Sequence, residues 1–103
     1  MIDGLVPPAQ CSGMEEIRTQ VNEVDHAIIK LLGTRLEYVV AAVAFKPDET
    51  SIRTPDHWDR FFAARRQWAS EAGYDPETIE AMYRTLYDFT IQKQLELHRQ
   101  KPK

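Results

Sequence analysis

Residues 14–45, MEEIRTQVNEVDHAIIKLLGTRLEYVVAAVAF, decide the fold of this chain. Their apolar side chains recur every three or four residues, which is the spacing of one face of an α-helix. The stripe consists of Met14, Ile17, Val21, Val24, Ile28, Leu31, Tyr38, Ala42 and Phe45. Arg35 interrupts it with a charge. The spacing predicts one long helix over about residues 14–45, ended by Pro47 because the residue before a proline is pushed out of the helical region.

On either side of this helix the sequence predicts irregular structure. Residues 1–12 contain Pro7 and Pro8 and lack periodicity, so they form an irregular lead that ends in a helix cap near Ser12 or Gly13. Residues 46–51, Lys-Pro-Asp-Glu-Thr-Ser, are predicted to be a loop.

Two further helices follow the loop. Thr54-Pro55-Asp56 is a cap with proline in the first turn, and the helix it opens runs to about Ala72, with Gly73 as its stop. Asp75-Pro76-Glu77 repeats the start signal and opens a third helix, which runs through Leu97. No segment predicts a strand. We therefore expect an all-α chain with one long, one short and one medium helix, and a single domain over residues 1–103 with no internal repeat.

Composition limits the class of protein. The chain is 43% hydrophobic and 28% charged, as soluble globular proteins are, and its apolar runs are shorter than the roughly 20 residues that cross a membrane. The start, MIDGLVPPAQ, is unlike a signal peptide, so we expect a cytoplasmic protein. The net charge of −3 argues against nucleic-acid binding.

The sequence contains no motif that is typical of a metal site or a cofactor site. His26, His57 and His98 lack the spacing of metal ligands, and no glycine-rich phosphate loop is present. The one cysteine, Cys11, has no partner for an internal disulfide and is expected to be an inert thiol. The sequence predicts neither a metal site nor a cofactor.

The length of the first helix predicts a dimer. It would measure roughly 48 Å at 1.5 Å per residue, whereas a compact chain of this size is only some 33 Å across. The helix must then protrude, and its apolar stripe would be an uncovered patch of the kind that soluble monomers avoid. We expect an intertwined helical homodimer in which the stripes of the two first helices supply much of the interface.

Arg35 is the candidate site residue that the stripe itself points to. Burying an arginine costs several kcal/mol unless an anion or hydrogen-bond acceptors compensate it. An internal acid such as Asp88, or access to water, would be a structural explanation. Lys46 follows 11 residues later, on the same face if helical geometry holds that far, so that the two cations would bracket a small anion. Arg18 is about 25 Å from Arg35 along the helix, so it can serve only the partner subunit's site.

The third predicted helix carries a polar pair on its apolar side. Thr90 and Gln94 stand four residues apart, next to the stripe of Ile79, Leu86 and Leu97. Their hydroxyl and amide would be half-buried there, and such a pair by itself is usually a feature of the rim of a core.

Several motifs resemble the all-helical chorismate mutase superfamily over about residues 10–100. These motifs are Cys11-Ser12-Gly13, Ile17-Arg18, Val24-Asp25, Arg35-Leu36-Glu37-Tyr38-Val39 and Phe45-Lys46. Within the superfamily, Pro-x-x-Cys-Ser-Gly near the start, Arg-Arg-Gln-Trp-Ala at 65–69 and Gln94 are most similar to isochorismate pyruvate lyases.

The resemblance implies a fold and a site. The fold is the type II chorismate mutase fold, three helices per chain in an intertwined dimer with two sites, each completed by an arginine of the neighbouring chain. The ligand is a small dicarboxylate, isochorismate or chorismate. By resemblance, Arg35 and the partner's Arg18 hold its carboxylates, Lys46 reaches a carboxylate and the ether oxygen, and Gln94 contacts the enolpyruvyl side. Lys46, Arg35 and Gln94 are the implied catalytic residues, and no cofactor is needed.

One departure separates the lyases from the mutases. Mutases of this family carry an Arg-Asp-x-x-Arg-Glu pattern as the second helix begins, but this chain reads Arg-Thr-Pro-Asp-His-Trp at 53–58. The missing arginine favours a lyase that releases salicylate and pyruvate, with a weak mutase side activity. Chorismate mutase as the main activity is the first alternative, and a non-catalytic helical dimerisation module is the second. Thr90 stands where the family varies and is not among the site residues.

Overall fold

A computed structural model describes residues 2–53 and 58–100, and within these ranges the chain is helical, without strands. Four α-helices follow one another: α1 (Met14–Ala42), α2 (Glu49–Arg53), α3 (Trp58–Glu71) and α4 (Pro76–Arg99). Short 3₁₀ helices span Pro8–Gln10 and Val43–Phe45. The prediction of an all-α chain is therefore confirmed.

The first helix has the predicted start and almost the predicted length. α1 holds 29 residues, roughly 43 Å at the helical rise. At its start Ser12 donates two hydrogen bonds to the carboxylate of Glu16, from its backbone N–H (3.2 Å) and its hydroxyl (3.4 Å). Towards its end the last predicted residues tighten into the 3₁₀ helix at Val43–Phe45, as helix termini often do.

The predicted loop at 46–51 is partly wrong, because α2 occupies Glu49–Arg53. Asp48 caps this short helix: its Oδ1 accepts a hydrogen bond from the backbone N–H of Ser51 at 2.8 Å. Ile52 is buried to 1% exposure, so packing holds the helix in place. A single turn is too short to show a helical period, and for this reason the sequence pattern did not reveal it.

The predicted end of α3 and the predicted start of α4 are confirmed. After α3, Gly73 has a φ of +75°, and the backbone N–H groups of Tyr74 and Gly73 donate to the carbonyls of Ala69 and Ser70. This Schellman arrangement requires a left-handed residue, which glycine adopts without strain. Asp75 caps α4 by accepting a 3.0 Å hydrogen bond from the N–H of Thr78. The predicted cap at Thr54-Pro55-Asp56 lies outside the described residues.

The chain divides into two compact units, residues up to Glu37 and residues from Tyr38 onward. The prediction of a single domain stays a prediction. Buried side chains lie in the second unit, and they are Val43, Ile52, Phe62, Ala69, Tyr87, Gln94 and Leu95. There α3 and α4 pack together through an aromatic cluster in which Phe61 meets Phe62 and Tyr87 at ring-centroid distances of 5.1 and 5.8 Å.

α1 contributes no buried residue. Its stripe is largely exposed, with Met14 at 58%, Leu31 at 68% and Tyr38 at 75%. The apolar face that the sequence predicts is therefore present and uncovered in the single chain. No helix in the described part of the chain is long and apolar enough to cross a membrane.

Candidate active site

The structure brings Lys46 and Gln94 together across 48 residues of sequence. The Nζ of Lys46 donates a hydrogen bond to Oε1 of Gln94 at 3.0 Å. Lys46 stands directly after the 3₁₀ helix that extends α1, and Gln94 lies on α4. Two of the four predicted site residues thus form a direct contact within the second unit.

A backbone carbonyl fixes the orientation of the Gln94 amide. Nε2 of Gln94 donates to the carbonyl oxygen of Val39 at 2.8 Å, so Oε1 is the atom turned to Lys46. Gln94 is only 4% exposed, and both ends of its amide are hydrogen-bonded, as a buried amide requires. The rim position that the sequence suggested for it is wrong. Thr90, four residues earlier, is half-buried.

Among the described residues, no charged group neutralises the positive charge of Lys46. Burial lowers the pKa of its ammonium group below the ordinary 10.5, and no charge in the described part of the chain contributes to this shift. Gln94 can accept a hydrogen bond but cannot neutralise a charge, and an ammonium group keeps two further N–H donors after its first bond. An anionic ligand with oxygen acceptors would therefore compensate the partly desolvated Lys46.

The shared helical face of Arg35 and Lys46 was predicted on the condition that helical geometry holds as far as Lys46, and this condition is not met. The backbone of Lys46 is extended, with φ −107° and ψ 116°, because Pro47 follows it. Arg35 itself is half-buried on α1 and already interacts within the chain. Arg35 belongs to the first unit and Lys46 to the second. That both bind the same anion therefore stays a prediction.

Arg18 is exposed on α1. About 25 Å of continuous helix separates it from Arg35, since the two positions are 17 residues apart at about 1.5 Å each. The two arginines therefore cannot bind the same small ligand from one chain, as the sequence predicted.

An apolar cleft lies elsewhere, within the first unit. It has a volume of about 380 Å³ and is formed by the N-terminal lead and the first half of α1. Its walls include Val6, Cys11, Val21 and Val24, and none of the four predicted site residues lines it. Cys11 is half-buried beside this cleft, with its Sγ 3.7 Å from the carbonyl oxygen of Pro7.

The histidines are dispersed. His26 is exposed on α1, His57 lies outside the described residues, and Nε2 of His98 is 3.4 Å from the carbonyl oxygen of Pro47. Among residues 2–53 and 58–100, no three His, Cys, Asp or Glu side chains cluster as metal ligands would.

Sequence reasoning missed the contacts that hold the segment after Lys46. Arg99 Nε donates to Oε1 of Glu49 at 2.7 Å, and His98 meets Pro47. These partners are about 50 residues apart, a separation at which no spacing rule applies. The Val39 carbonyl was also missed, since a backbone group leaves no signal in the sequence.

A helical chain with a partly buried Lys–Gln pair is matched by a known family. The model for chorismate mutase type II covers residues 17–95, and the chain belongs to this family. A curated relative is the isochorismate pyruvate lyase of Pseudomonas aeruginosa strain PAO1, which is 32% identical over 93 residues. The aligned region covers 90% of this chain and 92% of that relative.

Proposed function

We propose that this protein is an isochorismate pyruvate lyase, which converts isochorismate to salicylate and pyruvate without a cofactor. The observation that carries the proposal is the hydrogen bond between Lys46 and Gln94, 3.0 Å long and partly buried, in a chain of the chorismate mutase type II family. The relative named for this activity matches along nearly the whole chain.

The reaction asks little acid–base chemistry of the protein. The bond between the ring carbon and the ether oxygen breaks, and a ring hydrogen moves to the methylene carbon of the departing enolpyruvyl group. That group leaves as pyruvate, the ring becomes aromatic, and the atoms balance without water or an oxidant. Catalysis then consists of holding a reactive conformer and stabilising negative charge on the ether oxygen as its bond breaks.

Lys46 suits the second task. Its ammonium group has two N–H donors left and is partly desolvated, and hydrogen bonds from a cation are stronger where water is excluded. We assign it to a substrate carboxylate and the ether oxygen. Gln94, held by the Val39 carbonyl, keeps Lys46 in place and lies beside the enolpyruvyl group.

Arg35 and Arg18 complete the proposed site. Each would bind one carboxylate of the substrate, since guanidinium groups match carboxylates in shape and charge. Because one chain cannot bring both to one ligand, Arg18 would come from the partner subunit of a cytoplasmic homodimer. The exposed stripe of α1 supports this assembly, because soluble monomers rarely leave such a face uncovered.

Subunit complementation tests this sharing. Inactive Arg18→Ala and Lys46→Ala variants are mixed, dissociated and reassociated. Random exchange makes about half of the dimers mixed, and each mixed dimer has one intact site, so about a quarter of wild-type activity should return. If each site belonged to one chain, every site would keep a defect and no activity would return.

Light scattering tests the dimer itself. A monomer at micromolar concentration would contradict the proposed homodimer.

Chorismate mutase is the second candidate, because the family model carries that description. The two activities are separated by comparing kcat/KM for isochorismate, followed by salicylate fluorescence, with kcat/KM for chorismate, followed by prephenate formation. We expect the first value to be the larger. Rapid loss of chorismate with no salicylate from isochorismate would make the protein a mutase.

A further inference from the structure

The segment that follows Lys46 lies along the last turns of α4. Ile52 of α2 and Leu95 of α4 are each only 1% exposed, and these two helices pack against each other. Lys46 is thus the first residue of a stretch that is attached to α4 rather than free in solvent.

Three polar contacts attach this stretch in sequence order. Lys46 meets Gln94 at 3.0 Å, the Pro47 carbonyl meets His98 at 3.4 Å, and Glu49 meets Arg99 at 2.7 Å. The α4 residues lie within one and a half helical turns of one another, so a single rigid element supplies all three. The hydrogen bond from Arg99 is also the main reason that the pKa of Glu49 is lowered.

Local hydrogen bonds stiffen segment 46–53, so that a contact at one of its residues restrains the others. Oδ1 of Asp48 accepts from the N–H of Ser51, and the hydroxyl of Ser51 donates to the carbonyl of Asp48, both at 2.8 Å. Pro47 restricts the backbone between Lys46 and this capped turn. A restraint on Glu49 therefore acts on Lys46, three residues earlier.

We infer that Arg99 is a positioning residue: by pairing with Glu49 it holds the segment 46–53 against α4, and so keeps the Lys46 ammonium at Gln94. The inference rests on the proposed function, in which Lys46 contacts the substrate. Arg99 itself need touch no ligand.

Loss of the pair has a kinetic signature. If the segment detaches part of the time, the apparent affinity for substrate falls by the fraction that remains attached, whereas saturating substrate restores the attached state. KM should rise and kcat should stay nearly constant. A variant in which a fraction of the protein is irreversibly unfolded would instead lower the apparent kcat and leave KM unchanged.

The test compares Arg99→Ala and Glu49→Gln with Arg66→Ala as the matched control. Arg66 forms ion pairs between α3 and α4 with Glu77, which is exposed, and with Glu80, which is half-buried. Both segment variants should raise KM for isochorismate about two- to fivefold, the effect of one exposed ion pair, and Arg66→Ala should not. The exchanged pair Glu49→Arg with Arg99→Glu should restore KM.

Glu49→Gln distinguishes positioning from direct binding. If Arg99 bound the substrate itself, removal of the neighbouring negative charge would lower KM or leave it unchanged, and either result would overturn the inference. An exchanged pair no better than the single variants would also overturn it.

Hydrogen exchange separates failure of this inference from failure of the proposed function. Backbone amides in residues 47–53 should exchange faster in Arg99→Ala than in the wild type, with α3 unchanged. Equal exchange would refute the inference whatever the activity. Faster exchange in a protein that makes no salicylate would support the role of Arg99 in holding the segment and would refute the proposed lyase activity.

Discussion

Replacement of Lys46 by alanine should separate catalysis from folding. The substitution removes the ammonium group and its 3.0 Å hydrogen bond to Gln94, but it leaves the bond from Gln94 to Val39 in place. Removing one preorganised donor from a developing oxyanion costs about 10²- to 10³-fold in rate. We therefore expect kcat for isochorismate to fall at least about 100-fold, on the order of 3 kcal/mol of transition-state stabilisation.

Folding should respond far less to the same change. The Gln94 oxygen loses a partner in a buried place, which costs about 1–3 kcal/mol, but a partly desolvated charge is removed at the same time, and this offsets part of the cost. The net change in the free energy of unfolding should be about 1 kcal/mol or less, because the two effects oppose each other.

Two assays measure this separation. Salicylate fluorescence gives kcat and KM, and urea unfolding followed by circular dichroism gives the free energy of unfolding. Lys30→Ala is the control, since Lys30 is exposed on α1 and belongs to no proposed site. Lys46→Arg keeps the charge but changes its geometry, so it should recover only part of the rate. Unchanged turnover in Lys46→Ala would remove Lys46 from the mechanism, and a rate loss matched by an equal loss of folded protein would show a structural role only.

Three further changes test neighbouring parts of the account. Because burial lowers the pKa of Lys46 and the ammonium form is the active one, kcat/KM should fall as pH rises through a pKa below 10.5; this basic limb should move to higher pH in Lys46→Arg, and a limb that stays in place belongs to another group. Gln94→Leu should lower turnover and destabilise the fold by about 0.5–1.5 kcal/mol, because it removes the hydrogen bond that the buried Gln94 amide donates to the Val39 carbonyl; a fully active variant would contradict the role of Gln94. Gly73→Ala should destabilise the fold by about 1–2 kcal/mol at its left-handed φ and leave kcat/KM unchanged, whereas Gly13→Ala, whose site has open space and no positive φ, should destabilise it less and also leave kcat/KM unchanged.

Local chemistry explains which parts of the fold are predictable from sequence. Gly73 and Asp75 act on the backbone within a few residues, so their positions predict the end of α3 and the start of α4. α2 depends on the burial of Ile52 against α4, which is a tertiary effect that a periodic pattern does not contain.

The residues of the candidate site could be named from the sequence, but their geometry could not. Resemblance to the family singled out Lys46 and Gln94, and the structure joins them. The helical projection from Arg35 does not reach Lys46, because the backbone becomes extended at Lys46, directly before Pro47. The pair of Glu49 and Arg99 depends on how the chain folds back on itself and has no local signature.

A crystal structure with salicylate and pyruvate bound tests the central claim most directly. We expect the ligand carboxylates at Arg35 and at Arg18 of the partner subunit, with the Lys46 ammonium and the Gln94 amide within about 3 Å of ligand oxygens. Ligand found in the apolar cleft beside Cys11, or away from Lys46 altogether, would contradict the assignment of the active site.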